Sequence, residues 1–521
     1  MTTFTNPILP GYYPDPSIIR VGEFFYLVNS TFEYFPGLPI HRSTDLVNWE
    51  LVAHAIDRDS QLDYTEIRPS AGLFAPTIRE HNGTFYIVCT HVGGKAAQGN
   101  FIITASHPEG PWSDPIWVDA PGIDPSLFFD ESGRAWMTGC RGSDNEQYEG
   151  HAVTWLQEID VTNGALLGEE HIVWEGALKG ARWCEGPHLF HKDGWYYILT
   201  AEGGTEFLHA ITIARSRDIT GPYVGYPANP VMTHRHLGHS APVQYVGHSD
   251  IFQDSNGKWW AVALATRPVN GKHILGRETF LVDVVWEEDW PVFAPGRGVL
   301  PTTGETGLDS AVTVSRPGHV ADGNNAAHAV SVLESGTYAN THIISLRGGF
   351  QDFAQVNQGV LTLTGTTDTL LDKGHPAFLG VRVPAPTSVF TARLENLNLA
   401  AGHSAGLAAI QRHTYQVRAE LVSLEEQKSL HIVERIDGTD TIHAQVKLPA
   451  GYVPDVLDVV LEITPTQCTA SITAGEASIS AQLGIDALAT ETAGGFVGAV
   501  VGPFVHGSGS TASVPAWDVD F

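Results

Sequence analysis

Three carboxyl residues stand at matching places in recurring segments, Asp15 and Asp124 each directly before a proline and Glu185 just ahead of Gly186-Pro187. Carboxyls brought together can divide acid–base work, one protonating a departing oxygen while another, ionised, drives attack on the carbon it leaves. A third carboxylate nearby raises the acid's pKa, because its negative charge disfavours a second ionisation. In number and type the set matches what cleavage of a glycosidic bond requires. Taken singly, each has a plainer reading: Asp-Pro is a common turn opener, and Glu185 in RWCEGPHLF fits a hydrogen-bonded strand. Their shared register is what points to chemistry.

That register comes from an internal repeat. Five segments share a small or acidic residue, usually a proline, an apolar pair, a polar turn and an aromatic-rich run. They are DPSIIRVGEFFYLV from Asp15, APTIREHNGTFYIV from Ala75, DPSLFFDESGRAWM from Asp124, GPHLFHKDGWYYIL from Gly186 and HSDIFQDSNGKWWAV from His248. The steps along the proline column are 60, 49, 62 and 62 residues, room for about four short strands with their turns. Hairpin signals at Asn82-Gly83, Ser132-Gly133, Asp193-Gly194 and Asn256-Gly257 lie between runs of Phe, Tyr, Trp and Ile, and no long amphipathic helix interrupts them. The pattern predicts a five-bladed β-propeller over residues 1–300. Equivalent positions on its innermost strands face one axis, so Asp15, Ala75, Asp124, Gly186 and His248 converge, with Glu185 beside Gly186. Mutually repelling carboxyls in a pocket are not favoured by folding alone, and this argues for function.

Residues 301–328 are rich in Gly, Thr, Ser, Asn and Asp and read as a linker or extended crossover. The aromatic repeat then stops. Alternating runs such as VFTARLENL, YQVRAELV, LHIVERI, VLDVVLEI and CTASITA predict an antiparallel β-sandwich over 329–521, making the whole chain all-β. With 29 Lys and Arg against 58 Asp and Glu, the net charge of −29 opposes binding to nucleic acid or an anionic membrane and favours a neutral ligand, although excess acid also serves solubility. The first residues carry neither a basic cluster nor an apolar run, and no later stretch is apolar enough for a membrane span, so the chain is expected in the cytoplasm. Cys89, Cys140, Cys184 and Cys468 lack metal-ligand spacing and are expected as free thiols.

The motifs NPILPGYYPDPSI at 6–18, HRSTDLVNWELV at 41–52, FAPTI at 74–78, GIDPSLFFD at 122–130, WCEGPHLF at 183–190, GHSDIFQD at 247–254 and LGRETF at 275–280 together resemble glycoside hydrolase family 43, the β-xylosidases and α-L-arabinofuranosidases built on a five-bladed propeller. The resemblance implies an inverting, exo-acting enzyme that releases terminal pentose from small oligosaccharides, β-D-xylose ahead of α-L-arabinofuranose. It implies Asp15 as general base, Glu185 as general acid and Asp124 as the residue that tunes and orients the acid. Arg277 would lie beside the base, where a fixed cation keeps a carboxylate ionised and can hydrogen-bond sugar hydroxyls; the plainer alternative is an ion pair with Glu278. His248 would sit on the axis, either as a satisfied core histidine or beside a calcium ion, although one imidazole does not define a site for a cation that prefers oxygen ligands. No cofactor is otherwise required.

Phe32 and Phe74 are the expected sugar-facing aromatics, whereas Trp195, Trp259 and Trp260 are expected to pack between blades. PAFLGVRV, AGLAAIQ, GGFVGAVVG and the terminal WDVDF resemble the concanavalin-like sandwich that follows the propeller in one β-xylosidase branch. There a loop aromatic can close the active site; Phe496 is the first choice here and Phe504 the second. An enzyme of this layout is also compatible with homo-oligomers. Two other readings compete. A retaining fructosidase-type propeller also uses Asp, Asp and Glu, but usually opens on an NDPNG-like segment, for which this chain has YPDPS. A non-catalytic carbohydrate-binding propeller would suit a chain that had lost one of the three carboxyls, and this one has kept all three.

Overall fold

The structure, a computed structural model, describes residues 2–95, 98–309, 324–338 and 340–521. Five antiparallel sheets of the first domain span residues 17–56, 72–118, 123–174, 185–225 and 244–293. Their innermost strands are Ser17–Val21, Thr77–His81, Ile123–Phe129, Glu185–Lys192 and Gln244–Gln253. Each neighbours the next, and the fifth returns to the first, so the sheets close as the five-bladed β-propeller that the repeat predicts. Asn82-Gly83 and Asp193-Gly194 have positive φ at both positions, the geometry that lets a two-residue turn follow strand twist. Trp260 is buried between blades and donates from Nε1 to Asp254 at 2.9 Å, while Trp195 and Trp259 pack half-buried against the fourth and fifth blades.

Below the pocket an ionic cluster pins four blades to one another. Asp250 accepts hydrogen bonds from the Ser17 hydroxyl at 2.8 Å, the Ile18 amide at 3.1 Å and Arg79 Nη1 at 3.0 Å. Arg79 Nη2 also lies 3.2 Å from His188 Nδ1. Burial would raise the Asp250 carboxyl, but Arg79, His188 and the Ser17 bond outweigh it and hold it below the ordinary Asp value.

The second domain is a sandwich of two seven-stranded antiparallel sheets. Strands Ser388–Asn398, Tyr415–Ser423, Lys428–Ile436, Val456–Ile463 and Gln467–Ala474 fall on the alternating runs that predicted them. The linker expected over 301–328 is only partly tested, because 310–323 lie outside the described residues. Its described ends differ from a simple linker. Thr303–Glu305 pairs with Thr3–Thr5, extending the first domain past residue 300, and helix Asn325–Ser335 starts inside the expected linker. Asn324 caps that helix through its side chain, Gly336 ends it in the left-handed conformation, and Ala326, Ala329 and Val332 bury one face against the sandwich. The sequence reading missed it because one short apolar stripe sits in a polar, glycine-rich setting.

The domains share a core. Ser345–Leu346 pairs with Tyr34–Phe35, and Tyr12, Phe32 and Tyr34 of the propeller pack in one cluster with Ile344, Phe378, Val497 and Phe504 of the sandwich. All four cysteines are buried and free, as expected. No described helix is long and apolar enough to cross a membrane.

Candidate active site

The backbone at the blade entrances re-aims the side chains. Asp15, Asp124, Gly186 and His248 all have left-handed φ, at 51°, 54°, 57° and 39°. Left-handed backbone is costly for residues other than glycine and is kept where the surroundings enforce it. In three blades the strand register shifts at this point, between Ile123 and Ser126, Glu185 and His188, and Gly247 and Ser249, as β-bulges next to active sites do. At residue 186 glycine is also required by space, since a Cβ there would lie 2.6 Å from the His248 ring.

These turns bring Asp15, Asp124, Glu185 and His248 into one pocket with Phe32, Phe74, Arg277 and Phe496, an open space of about 490 Å³ including its mouth. All eight first-choice site residues from the sequence meet there. Asp15 is 4% exposed and fully engaged: Arg277 donates from Nη1 to Oδ1 at 2.9 Å and from Nη2 to Oδ2 at 3.2 Å, and the Ser30 hydroxyl donates to Oδ2 at 2.5 Å. Burial pushes its pKa up, but Arg277, His248, the Ser30 bond and His209 together bring it below the usual Asp value. Glu278 does not take Arg277; it pairs with Arg267 at 2.7 and 2.8 Å. The Nε of Arg277 is buried and finds no partner among the described residues, leaving a donor on a pocket-lining side chain.

The other two carboxyls are shifted in the opposite sense. Burial and the charge of Asp15 raise Glu185 to about 7, against a smaller opposing pull from Arg277. Burial, then Glu185, then Asp15 raise Asp124 well above its ordinary value, although the Gly186 amide donates to its Oδ2 at 3.1 Å. Glu185 and Asp124 therefore compete for charge, and the pair retains a proton in the neutral range while Asp15 is ionised.

The aromatic wall joins both domains. Phe32 is buried, with its ring centroid 5.5 Å from Phe74 and 5.6 Å from Phe496. The Arg277 guanidinium lies 5.6 Å from Phe32 and 5.4 Å from Phe496. Phe496 comes from the sandwich, where its amide donates to the Ser70 hydroxyl at 2.9 Å. Phe504, the second choice for this role, is instead buried in the cluster between the domains, because its strand Val500–His506 runs through the middle of a sheet.

His248 Nδ1 is 3.9 Å from Asp15 Oδ1, and burial lowers its pKa, which favours a neutral ring. Among the described residues no group of three or more His, Cys, Asp or Glu is arranged to hold an ion. The carboxylate beside His248 belongs to Asp15, already taken by Arg277 and Ser30, so this donor set does not fit calcium. Ser30, Thr205 and His209 also serve the pocket without a sequence signal, since none stands in the repeat column. His209 lines the wall, bonds the Tyr245 carbonyl through Nδ1 at 3.0 Å, and is lowered by burial to about 3.

Comparison with known proteins agrees with this geometry. The model of "Glycosyl hydrolases family 43" matches residues 4–291, and that of "Beta xylosidase C-terminal Concanavalin A-like domain" matches 337–521. A "Xylosidase/arabinosidase" of Butyrivibrio fibrisolvens is 38% identical over 98% of this chain and 97% of its own length. A "Non-reducing end alpha-L-arabinofuranosidase" of Bacteroides ovatus is 35% identical over 99% and 93%. Among solved structures, xylan beta-1,4-xylosidase from Bacillus halodurans C-125 superposes with a TM-score of 0.90 at 29% identity, covering 99% of this chain and 100% of that one. With the propeller, the concanavalin-like sandwich and the pocket all accounted for, the chain belongs to glycosyl hydrolases family 43 and is a glycoside hydrolase.

Proposed function

We propose that this glycoside hydrolase removes terminal β-D-xylose from xylo-oligosaccharides with inversion, Asp15 acting as general base, Glu185 as general acid and Asp124 as its tuning partner. The observation that carries the roles is the split in charge within one pocket. Asp15, fixed between Arg277 and Ser30, is ionised and suited to take a proton from water. Glu185, raised to about 7, keeps the proton that the departing oxygen needs. When the proton shared by the pair sits on Glu185, the charge left on Asp124 opposes its ionisation, and the Gly186 amide on Asp124 ties the two positions together. Inversion follows the motif resemblance, in which a water rather than Asp15 itself attacks the sugar.

Exo action is supported by Phe496, which a second domain places against Phe32 and Phe74 on the pocket wall. Such a pocket suits a chain end better than a chain interior. Xylose is preferred on the two-domain layout shared with the Bacillus halodurans xylosidase. α-L-Arabinofuranose is the second reading, favoured by the names of the full-length relatives from Butyrivibrio fibrisolvens and Bacteroides ovatus. Chromophore release from aryl β-xyloside and aryl α-arabinofuranoside, by wild type and Glu185→Ala, tests the assignment. Faster turnover of the xyloside by wild type, with a large loss in the variant, is expected. Equal turnover by both proteins would overturn it.

A further inference from the structure

Two cavities flank the pocket, and the position of Glu185 decides which of them receives the departing sugar. One, of about 800 Å³, shares Thr205, Arg277 and Phe496 with the pocket. The other, of about 770 Å³, shares Ile123 and Glu185. The acid must reach the bridging oxygen, so the sugar on the far side of that oxygen lies against Glu185's flank. Only the second cavity is walled by Glu185.

Trp183 stands in that wall, two residues before Glu185. It is 43% exposed, yet it is not a loose surface side chain. Its backbone is left-handed at φ 51°, an unfavourable state for a bulky residue that neighbouring structure must enforce. Its amide donates to the Gly150 carbonyl at 2.7 Å. Gly150 and Gly204 make room for the indole: a Cβ at Gly150 would be 3.0 Å from Nε1, and one at Gly204 3.0 Å from Cε3 and Cζ3. Arg182 lies 5.8 Å from the ring centroid and is itself paired with Glu149 at 2.5 Å. A large apolar surface is thus held open to solvent at the acid's side, where burial under a sugar ring would repay its exposure.

We propose that Trp183 is the platform for the leaving-group sugar and determines how well this enzyme uses a disaccharide. This rests on Glu185 being the acid. It makes Trp183 a specificity residue for the second sugar, whichever pentose is removed.

The test compares two donors of one pentose, xylobiose and β-D-xylosyl fluoride, whose fluoride leaving group has no ring to stack. The ratio of kcat/KM for xylobiose to that for the fluoride is expected to fall about tenfold in Trp183→Ala, the scale of one lost ring contact. In Trp183→Phe most of the ratio is retained. An unchanged ratio in Trp183→Ala overturns the platform. Fluoride turnover by each variant reports that its pocket has folded. Wild type inactive on the fluoride, but active on arabinobiose, refutes xylose as the removed sugar and moves the same comparison to arabinobiose and its matching glycosyl fluoride. Wild type inactive on every donor overturns both readings.

Discussion

Asp15 and Glu185 face the same pocket and hold their protons oppositely, and the residues responsible can be changed one at a time. Activity needs Asp15 ionised and the acid protonated. The rate should therefore rise as pH passes the depressed Asp15 value and fall as pH climbs through about 7, where Glu185 loses its proton. In the working state that the proposed roles require, the proton shared by the pair sits on Glu185 and the charge on Asp124; Asp124→Asn removes that charge, so the alkaline limb of the kcat/KM profile should move to lower pH, with a loss of rate. A limb that stayed in place would exclude Asp124 as the tuning group. Arg277→Ala removes the main cation on Asp15, so the acidic limb should move up, and KM should rise with loss of the free Nε donor. The three carboxyls were legible in the sequence because they share a repeat register. Ser30 and His209 were not, because they reach the pocket from outside the column, and only the closed ring of blades brings them to it.

Among the elements, the blade entrances matter more than the blade faces. Four left-handed positions and three register shifts surround one pocket, and aiming side chains is their shared effect. Gly186→Ala should lower kcat severely and reduce thermal stability, since its Cβ would meet the His248 ring at 2.6 Å. A variant with wild-type kcat and Tm would contradict this. Asp250→Ala leaves Arg79, whose side chain is only 17% exposed, without its carboxylate and should cost about 3 kcal/mol, read as a lower Tm. The folded pKa of Asp250 lies below its unfolded value. Its stabilisation is therefore present above the ordinary Asp range and lost as pH falls through the depressed value. Blade order and hairpins could be read from the repeat, whereas helix Asn325–Ser335 could not. Its packing face is a few alanines and a valine, a signal too small to stand out from the polar segment around it.

The whole molecule is needed to finish the pocket. Segment 490–498 of the sandwich, the short helix Thr490–Ala493 and the turn after it, docks on the segment that carries Arg277. Gly276 and Gly498 meet so closely that a Cβ on Gly276 would come within 2.8 Å of the Gly498 amide, and Glu491 accepts from the His273 amide at 2.9 Å. Phe496→Ala should therefore raise KM for xylobiose several-fold while lowering Tm less than loss of a fully buried ring would, because the half-buried ring lines the pocket and packs only on the edge of the shared cluster. Two domains were evident from the change in composition and periodicity. The shared cluster of Tyr12, Phe32 and Tyr34 with Val497 and Phe504 was not, since neither the repeat nor the alternating runs encode which faces meet. The division of labour among Asp15, Asp124 and Glu185 is tested most directly by the anomer first released from an aryl β-xyloside, followed by proton NMR before mutarotation. Attack by water activated at Asp15 predicts α-xylose first from the β-linked donor; β-xylose first would mean retention and would contradict Asp15 as base.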